Sequence, residues 1–248
     1  MQNIKLTIEY VGTNYHGWQI QPLVPTIQGV LQAALRVALR APVIPRGAAR
    51  TDAGVHALGQ VATFTSPDPV DCRRLLRSLN ALLPDDIAVR SVEEVHGEFH
   101  ARHAASGRIY RYQVAEGESL SPFLAAFAAH SRHPLDAAAM DEAAQVLLGR
   151  RDFSSFRAAG DLSESPVKEI RSSRVARAGE HGDMIVYTVE ANSFLQHMVR
   201  NIAGTLIEVG RGRCAVSQMR SILEARDRRR AGPTAAARGR CLMKVLYD

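Results

Sequence analysis

Apolar and polar residues alternate along the first positions of the chain. The segment NIKLTIEY places one face of an extended backbone on Ile4, Leu6, Ile8 and Tyr10, with polar side chains opposite. This period of two is typical of a strand with one buried face, so we expect a strand over 3–10. Further strands are predicted over 60–64, 87–95, 108–114, 167–178, 183–190 and 241–247. The pair 167–178 and 183–190 is expected to form a hairpin that turns at Gly179-Glu180-His181-Gly182.

Apolar residues at helical spacing separate these strands. Leu31, Leu35 and Leu39 predict a helix that begins at Pro25-Thr26 and is ended by Pro42. A second helix is expected from a cap at Asp71 through Leu83, because Pro84 cannot continue it. Helices are also expected over 136–148, bounded by Gly149, and over 194–209, and a short helix before the last strand. The buried stripe of the 194–209 helix is predicted to be Phe194, Met198, Ile202, Leu206 and Val209.

This order of elements mixes strands and helices in each half of the chain. A boundary near residues 100–107 divides the 248 residues into an N-terminal half, 1–104, and a C-terminal half, 105–248. The mixture predicts an α+β fold, in which mainly antiparallel sheets carry helices on one face.

Composition and charge narrow the class of protein. Hydrophobic residues make up 46% and charged residues 23%, and three well-separated cysteines have no metal-ligand spacing. We expect a cytoplasmic protein without a signal peptide or membrane span. The formal net charge is +6, and only 3 of the 31 basic residues are lysines, which leaves 28 arginines. The arginine guanidinium binds phosphate and stacks on bases, so we expect an anionic polymer as a partner. Codon bias in a GC-rich genome is the alternative explanation for the many arginines.

The segment GAARTDAGVHALGQ, at 47–60, is the strongest candidate for chemistry. Asp52 lies two residues from Arg50, among glycines and alanines that leave the backbone bare for a bulky ligand. A neighbouring guanidinium favours the ionised carboxylate, which can then act as a nucleophile. An ion pair that braces a loop is the alternative for an isolated Arg-x-Asp.

Several other segments accompany this one in order along the chain: YVGTNYHGWQIQP, FHARHAASGRIYRYQV, DFSSFRAAG, NSFLQHMVRNIAGTLIEVGRG and AGPTAAARG. Together with RTDAGVHA they closely resemble the TruA family of tRNA pseudouridine synthases, over essentially the whole chain. The resemblance implies the pseudouridine synthase fold, with two similar halves and an active-site cleft between them. It also implies an isomerase that converts uridine to pseudouridine at positions 38, 39 and 40 of the tRNA anticodon stem-loop, without cofactor or metal. Homodimers are implied as well, with one tRNA spanning both subunits.

The resemblance also assigns roles to individual positions. Asp52 matches the catalytic aspartate, and Arg200, in HMVRN, matches the arginine that pairs with it. Arg50 matches an arginine that touches the RNA and helps to turn out the target nucleotide, and Tyr110 matches the tyrosine that stacks on its base. A tRNA-contacting segment is matched by Phe99, His100, Ala101, Arg102 and His103, with Arg102 as the phosphate ligand. A second tRNA-contacting loop is matched by 160–166.

The chain departs from the family pattern at three places. Ala49 stands where glycine is usual, and Val11 where aspartate is common. The 160–166 loop lacks the usual Cys-Gln and carries two acids, Asp161 and Glu164, which weakens its expected contact with RNA.

Some features keep more than one interpretation. His96, His100 and His103 have a spacing that would suit a metal on a helix, but Gly97 disfavours that helix. The arginine run 226–230 is either a tRNA contact or a solvated face, and so are Arg211 and Arg213; His56 and His197 are either proton carriers or structural. For the whole protein, a non-catalytic basic tRNA-binding or chaperone module is the alternative. A glycoside hydrolase would need a second carboxylate near Asp52, and the sequence places none there.

Overall fold

The computed structural model describes residues 1–179 and 182–248, so Glu180 and His181 of the predicted hairpin turn lie outside the described residues. The ten strands of this part of the chain are β1 Gln2–Tyr10, β2 Arg46–Gly47, β3 His56–Ser66, β4 Ile87–Val95, β5 Ala105–Glu116, β6 Ala129–Ser131, β7 Gly149–Asp152, β8 Val167–Ala178, β9 Met184–Ala191 and β10 Arg240–Tyr247. Its α-helices are α1 Ile27–Leu39, α2 Cys72–Leu82, α3 Ala137–Gln145, α4 Met198–Gly210 and α5 Gln218–Ala225. Two units contain these elements: residues 1–106 with 242–248, and residues 107–241.

The first unit is built around β1, which pairs antiparallel with both β3 and β4. Ile4, for example, lies opposite Phe64 on one side and Glu94 on the other. The apolar face of β1 predicted from the sequence is buried, since Ile4, Leu6 and Ile8 are all 0% exposed. Helix α2 packs beside β4 and α1. The α+β prediction is therefore confirmed for this unit.

Both helices of the first unit begin at the caps expected from the sequence. The Thr26 side chain accepts a hydrogen bond from the Gly29 amide, and Asp71 accepts one from the Arg74 amide. Helix α1 ends at Leu39, three residues before Pro42, with Arg40 in the left-handed region at φ 52°. Among the described residues, no helix is long and apolar enough to cross a membrane.

The second unit is a sheet in which β5, β9, β8 and β7 are neighbours in that order, all antiparallel. The short strand β6 pairs in parallel with β5. The predicted hairpin of β8 and β9 is confirmed by the register, in which Val175 lies opposite Tyr187 and Ala178 opposite Met184. Helix α3 packs against β8 and α4.

Two predicted helix boundaries are wrong. Helix α4 begins at Met198 and not at Phe194, because His197 adopts a left-handed conformation at φ 61° and interrupts the backbone before it. Helix α3 ends at Gln145, and Gly149, expected only to bound it, starts β7 at φ 86°. The short strands β2, β6 and β7 were not predicted, since they are too brief to show an alternating pattern.

Candidate active site

The loop that carries Asp52 runs beside β3 and is held along it by hydrogen bonds. The Ala48 amide donates to the Val61 carbonyl over 2.7 Å. The Gln60 side chain donates to the Ala49 carbonyl at 2.8 Å and accepts from the Ala49 amide at 3.2 Å. Because Gln60 is 0% exposed, these bonds are shielded from water. The 47–55 loop is thus fixed through its backbone, although its side chains are small.

The loop is also held by the segment that follows β1. The Trp18 amide donates to the Thr51 carbonyl at 3.0 Å, and the Gly54 amide donates to the Tyr15 carbonyl at 3.2 Å. Gly47 is needed for this contact, because a Cβ there would lie 2.5 Å from the Trp18 ring. The motif glycine and the single tryptophan of the chain therefore form one packing contact.

Asp52 lies at a turn in this fixed loop. The Val55 amide donates to the Asp52 carbonyl at 3.1 Å, and Gly54 takes up φ 75°, which a side chain would disfavour. The preceding Thr51 is buried, with its hydroxyl 2.8 Å from that of Tyr10. Asp52 itself is half-buried and Arg50 is exposed. A partly shielded carboxylate on a rigid backbone has the precision that catalysis requires.

His56 is part of this framework. Its Nδ1 accepts a hydrogen bond from the Gly12 amide at 3.1 Å, and the residue is 5% exposed. Gly12 is required there, since a Cβ would lie 2.0 Å from the Val55 carbonyl oxygen. These contacts favour the structural interpretation of His56 over the proton carrier.

Replacing Gln60 with leucine is expected to impair both stability and activity. The leucine leaves the half-buried Ala49 amide and carbonyl without their partner, which costs about 1–3 kcal/mol of the free energy of unfolding. Urea denaturation with and without the substitution measures this loss. The matched control is Gln32→Leu on α1, a half-buried glutamine in the same unit that is distant in sequence from the loop. An unchanged stability in Gln60→Leu would contradict the anchoring role.

The segment from Phe99 to His103 forms turns and no helix. Phe99 packs 5.0 Å from the Tyr247 ring, and the Tyr247 hydroxyl donates to the Ala101 carbonyl at 2.8 Å. His100 Nδ1 accepts the backbone amides of Arg102 and His103, at 3.1 and 3.4 Å. Burial, with the charges of His103 and Arg46, lowers the pKa of His100, which favours the neutral ring that this acceptor needs. Arg102 and His103 are exposed.

The spacing of His96, His100 and His103 does not produce a metal cluster in the structure. The rings of His100 and His103 lie 4.4 Å apart, whereas His96 packs edge-on against Phe99. Within the described ranges, no group of three or more His, Cys, Asp or Glu side chains is arranged to hold a metal ion.

Tyr110 lies on β5 in the second unit and is buried. The Phe194 ring meets it edge-on, with ring centroids 5.1 Å apart. The Arg240 guanidinium lies 4.1 Å from the centre of the Tyr110 ring. Phe194, predicted to lie in the α4 stripe, precedes that helix and supports the tyrosine instead.

Arg200 projects from the first turn of α4 toward the chain segment that precedes β10. Its Nε donates to the Ala235 carbonyl at 2.8 Å, and the Ala235 amide donates to the Arg200 carbonyl at 3.1 Å. The guanidinium is therefore oriented by backbone that comes from a distant part of the sequence.

The sequence did not reveal a polar network around the buried Asn201, beside Arg200. Asn201 is 1% exposed; its Nδ2 donates to the Phe156 carbonyl, and its Oδ1 accepts from Thr234 at 2.6 Å and Arg228 at 3.1 Å. Arg228 also donates to the carbonyls of residues 231 and 232. The only signal in the sequence was the run RDRRR, whose middle residue proves to be structural.

Two further arginines of that run, and two others nearby, lie in ion pairs. Arg226 pairs with Asp152 at 3.2 Å, and Arg229 with Asp227 at 2.8 Å. Arg211 and Arg213 both pair with Glu208, at 2.9 and 3.6 Å. These contacts favour a solvated, internally balanced face over a dedicated tRNA contact for most of these residues.

Asp161, one of the two acids in the 160–166 loop, is held by contacts with other residues of the protein. Arg157 donates to the carbonyls of Asp161 and Ser163, both at 2.7 Å, and pairs with the Asp161 carboxylate at 3.2 Å. The Ser163 hydroxyl donates to the same carboxylate at 2.8 Å. Asp161 therefore shapes the loop, and its charge is already compensated, whereas Glu164 is exposed.

The stability of this loop is expected to depend on pH through Asp161. Partial burial by itself raises the pKa of Asp161, but hydrogen bonds from Ser163 and Gln196 and the charge of Arg157 outweigh it and lower the pKa. A lowered folded-state pKa means that the stabilisation is present above the ordinary aspartate value of about 3.9 and is lost as pH falls through the folded-state value.

Hydrogen exchange of the 158–164 amides measures this effect. Asp161→Asn should lower the protection factors of these amides at neutral pH, as protonation of Asp161 does in the wild type, whereas Glu164→Gln should not. Equal protection in Asp161→Asn and wild type would refute the role.

Comparisons with known proteins identify the class of protein to which this chain belongs. The family model described as tRNA pseudouridine synthase matches residues 6–103 and 143–248. The chain belongs to the tRNA pseudouridine synthase family, as its sequence motifs predicted.

Relatives called tRNA pseudouridine synthase A are similar over the full chain. The Myxococcus xanthus protein is 47% identical over 247 residues, which cover 100% of this chain and 92% of that one. The Geobacter sulfurreducens protein is 43% identical over 247 residues and the Moorella thermoacetica protein 44% over 250, each with 100% of both chains covered.

Proposed function

We propose that the protein is a cytoplasmic enzyme that isomerises uridine to pseudouridine at positions 38, 39 and/or 40 of the tRNA anticodon stem-loop. The observation that carries the proposal is the Asp52 carboxylate, half-buried on a loop whose backbone is fixed on both sides, in a chain of this family. The net charge of +6 suits an RNA substrate.

The reaction balances without any co-reactant. The C1′–N1 glycosidic bond breaks, the uracil turns, and C1′ bonds to C5; the C5 proton leaves to solvent, and N1 gains a proton. The target uridine has to leave its stack first, which costs a few kcal/mol of lost stacking. Contacts to phosphate offset this loss without reading sequence, and Arg50 and Arg102 are the proposed ligands.

Three roles for Asp52 fit this scheme: attack on C1′, attack on C6 of the base, or removal of a sugar proton. Arg200 is the proposed partner of the carboxylate, and Tyr110 the aromatic face for the turned-out base. The backbone bonds that orient Arg200 support its selection, because a guanidinium held on one side presents its remaining donors in a fixed direction. The segment Phe99–His103 completes the proposed RNA contacts.

Substrate variants test the proposed positions. Pseudouridine in an unmodified tRNA transcript is mapped after incubation with the protein, for transcripts with uridine or cytidine at each of positions 38, 39 and 40. Modification should appear wherever one of these positions is uridine and should vanish when all three are cytidine. Modification elsewhere in the all-cytidine transcript would contradict the positional assignment while preserving the reaction.

The competing function is a non-catalytic tRNA-binding module. It predicts tight binding of the same transcripts with no pseudouridine at any position. The intact set of Asp52, Tyr110 and Arg200 favours the enzyme.

We further propose that the active form is a homodimer with one tRNA spanning both subunits. Sedimentation analysis should give twice the 27.1 kDa mass of one chain. A monomer that retains full activity at the same concentration would exclude this arrangement.

A further inference from the structure

The outer surfaces of α1 and α2 carry five arginines, which we call the arginine face. They are Arg36, Arg40, Arg73, Arg74 and Arg77, and all five are exposed. On α2 the buried residues Leu75 and Leu79 lie on the opposite side of the helix. On α1 the buried residues likewise lie away from Arg36. Helical periodicity therefore collects the cations on the solvent side of both helices.

The two helices run in opposite directions, which brings these arginines to one end of the unit. Helix α2 begins beside the start of β1, where the Val70 amide donates to the Gln2 side chain at 2.6 Å. It ends near β4, where Asn80 bonds the Val89 backbone. Helix α1 begins instead at the far end of β1, where the Ile27 amide donates to the Gly17 carbonyl. The last turn of α1 and the first turn of α2 thus share the end at which Gln2 pairs with Ser66.

The arginine face has no compensating ion pairs among the described residues. Within residues 1–179 and 182–248, none of the five guanidiniums forms an ion pair with a carboxylate, whereas arginines of the second unit such as Arg177 and Arg229 do. The acids adjacent in sequence are Asp68 and Asp71. Cations in the first turn of α2 also interact unfavourably with the helix dipole. An external anion would remove both penalties.

The arginine face is distant from Asp52 in the 47–55 loop. Asp52 lies four residues before His56, the first residue of β3, whereas the arginine face begins where α2 starts, beside Ser66, the last residue of β3. The 11 residues of β3 span about 33 Å at about 3.3 Å per residue. An RNA that places its uridine at Asp52 would therefore reach the arginine face only with nucleotides far from the modified base.

We propose that the arginine face binds the phosphodiester backbone of tRNA outside the anticodon stem-loop. This inference rests on the proposed function, because it takes tRNA as the substrate. Each guanidinium on the two helices can bind one phosphate without contacting a base, so the arginine face accepts any tRNA sequence. Its role is to select the complete, folded tRNA over shorter RNAs that contain the same uridines.

The test compares full-length tRNA transcript with an isolated anticodon stem-loop, for wild type and the triple variant Arg36→Gln/Arg73→Gln/Arg77→Gln. The expected result is a tenfold or greater loss of affinity for full-length tRNA and a change below twofold for the stem-loop. The slope of log affinity against log salt should fall by about 2–3 for full-length tRNA. The matched control is Arg132→Gln/Arg150→Gln/Arg220→Gln, which removes three exposed arginines of the second unit and should change neither affinity.

Several outcomes would overturn the proposal. Unchanged binding of full-length tRNA would do so, as would equal losses in the triple variant and the control, which would indicate a general charge effect. So would loss of binding to phosphatidylserine vesicles in the triple variant while tRNA binding stays intact, which would assign the face to a membrane. Failure of the wild type to modify either RNA would count against the proposed function alone, since the affinity measurements need no turnover.

Discussion

An Asp52→Asn variant is expected to lose pseudouridine formation by at least about 10³-fold and to keep its affinity for tRNA within a few-fold. Asparagine has the same shape but cannot attack carbon or accept a proton, so each of the three roles proposed for the carboxylate fails. Backbone bonds that hold the loop run through Ala48, Ala49, Thr51 and Gly54, so we expect the variant to fold. Single-turnover assays and binding titrations on the same transcript separate the two effects.

The matched control for this variant is Asp85→Asn, which removes an exposed carboxylate of the same unit. It should retain wild-type turnover. Residual activity of Asp52→Asn near the wild-type level would mean that another group performs the chemistry. Parallel loss of activity and of folded structure would mean that Asp52 acts through stability, which thermal unfolding of the variant would reveal.

The second large effect is expected for Gly204→Ala in α4. A Cβ at this position would lie 1.7 Å from the Pro233 carbonyl oxygen, a backbone atom that cannot rotate away. Alanine favours a helix over glycine by about 1 kcal/mol, but the overlap is expected to cost about 3 kcal/mol, so the clash wins. The displaced segment also holds Arg200 through Ala235. Stability and turnover should therefore fall together.

Gly160→Ala provides the control, since nothing lies within 4 Å of the Cβ it would introduce. Calorimetry or urea denaturation of the two variants gives the comparison. A Gly204→Ala protein as stable as wild type would show that the contact between α4 and the 232–235 segment can open without loss.

The elements that the sequence predicted well are those with strong local signals. The alternating residues of β1 and the caps Thr26 and Asp71 gave the correct boundaries within one or two residues. The left-handed His197 has no comparable signal, because only a small fraction of histidines adopt this conformation. The start of α4 was therefore placed too early, and the contact of Phe194 with Tyr110 was not foreseen.

The candidate site also has parts that the sequence predicted and parts that it did not. The motif around Asp52 identifies the loop, but it does not reveal that Gln60 and Trp18 fix the backbone from two sides. Likewise, nothing local in RDRRR distinguishes the half-buried Arg228 from the exposed arginines of the run; the distinction comes from Asn201, 27 residues away in sequence. Such contacts depend on packing between distant segments, which residue patterns do not encode.

The most direct test of the central claim is release of tritium from a tRNA transcript labelled at C5 of its uridines. Because C5 exchanges its proton for the bond to C1′, each isomerisation must release one C5 hydrogen to water. The account predicts that the wild type releases tritium in proportion to the number of uridines at positions 38–40 and that Asp52→Asn releases none. Tight binding of the transcript by wild type without any tritium release would contradict the account and leave a tRNA-binding protein.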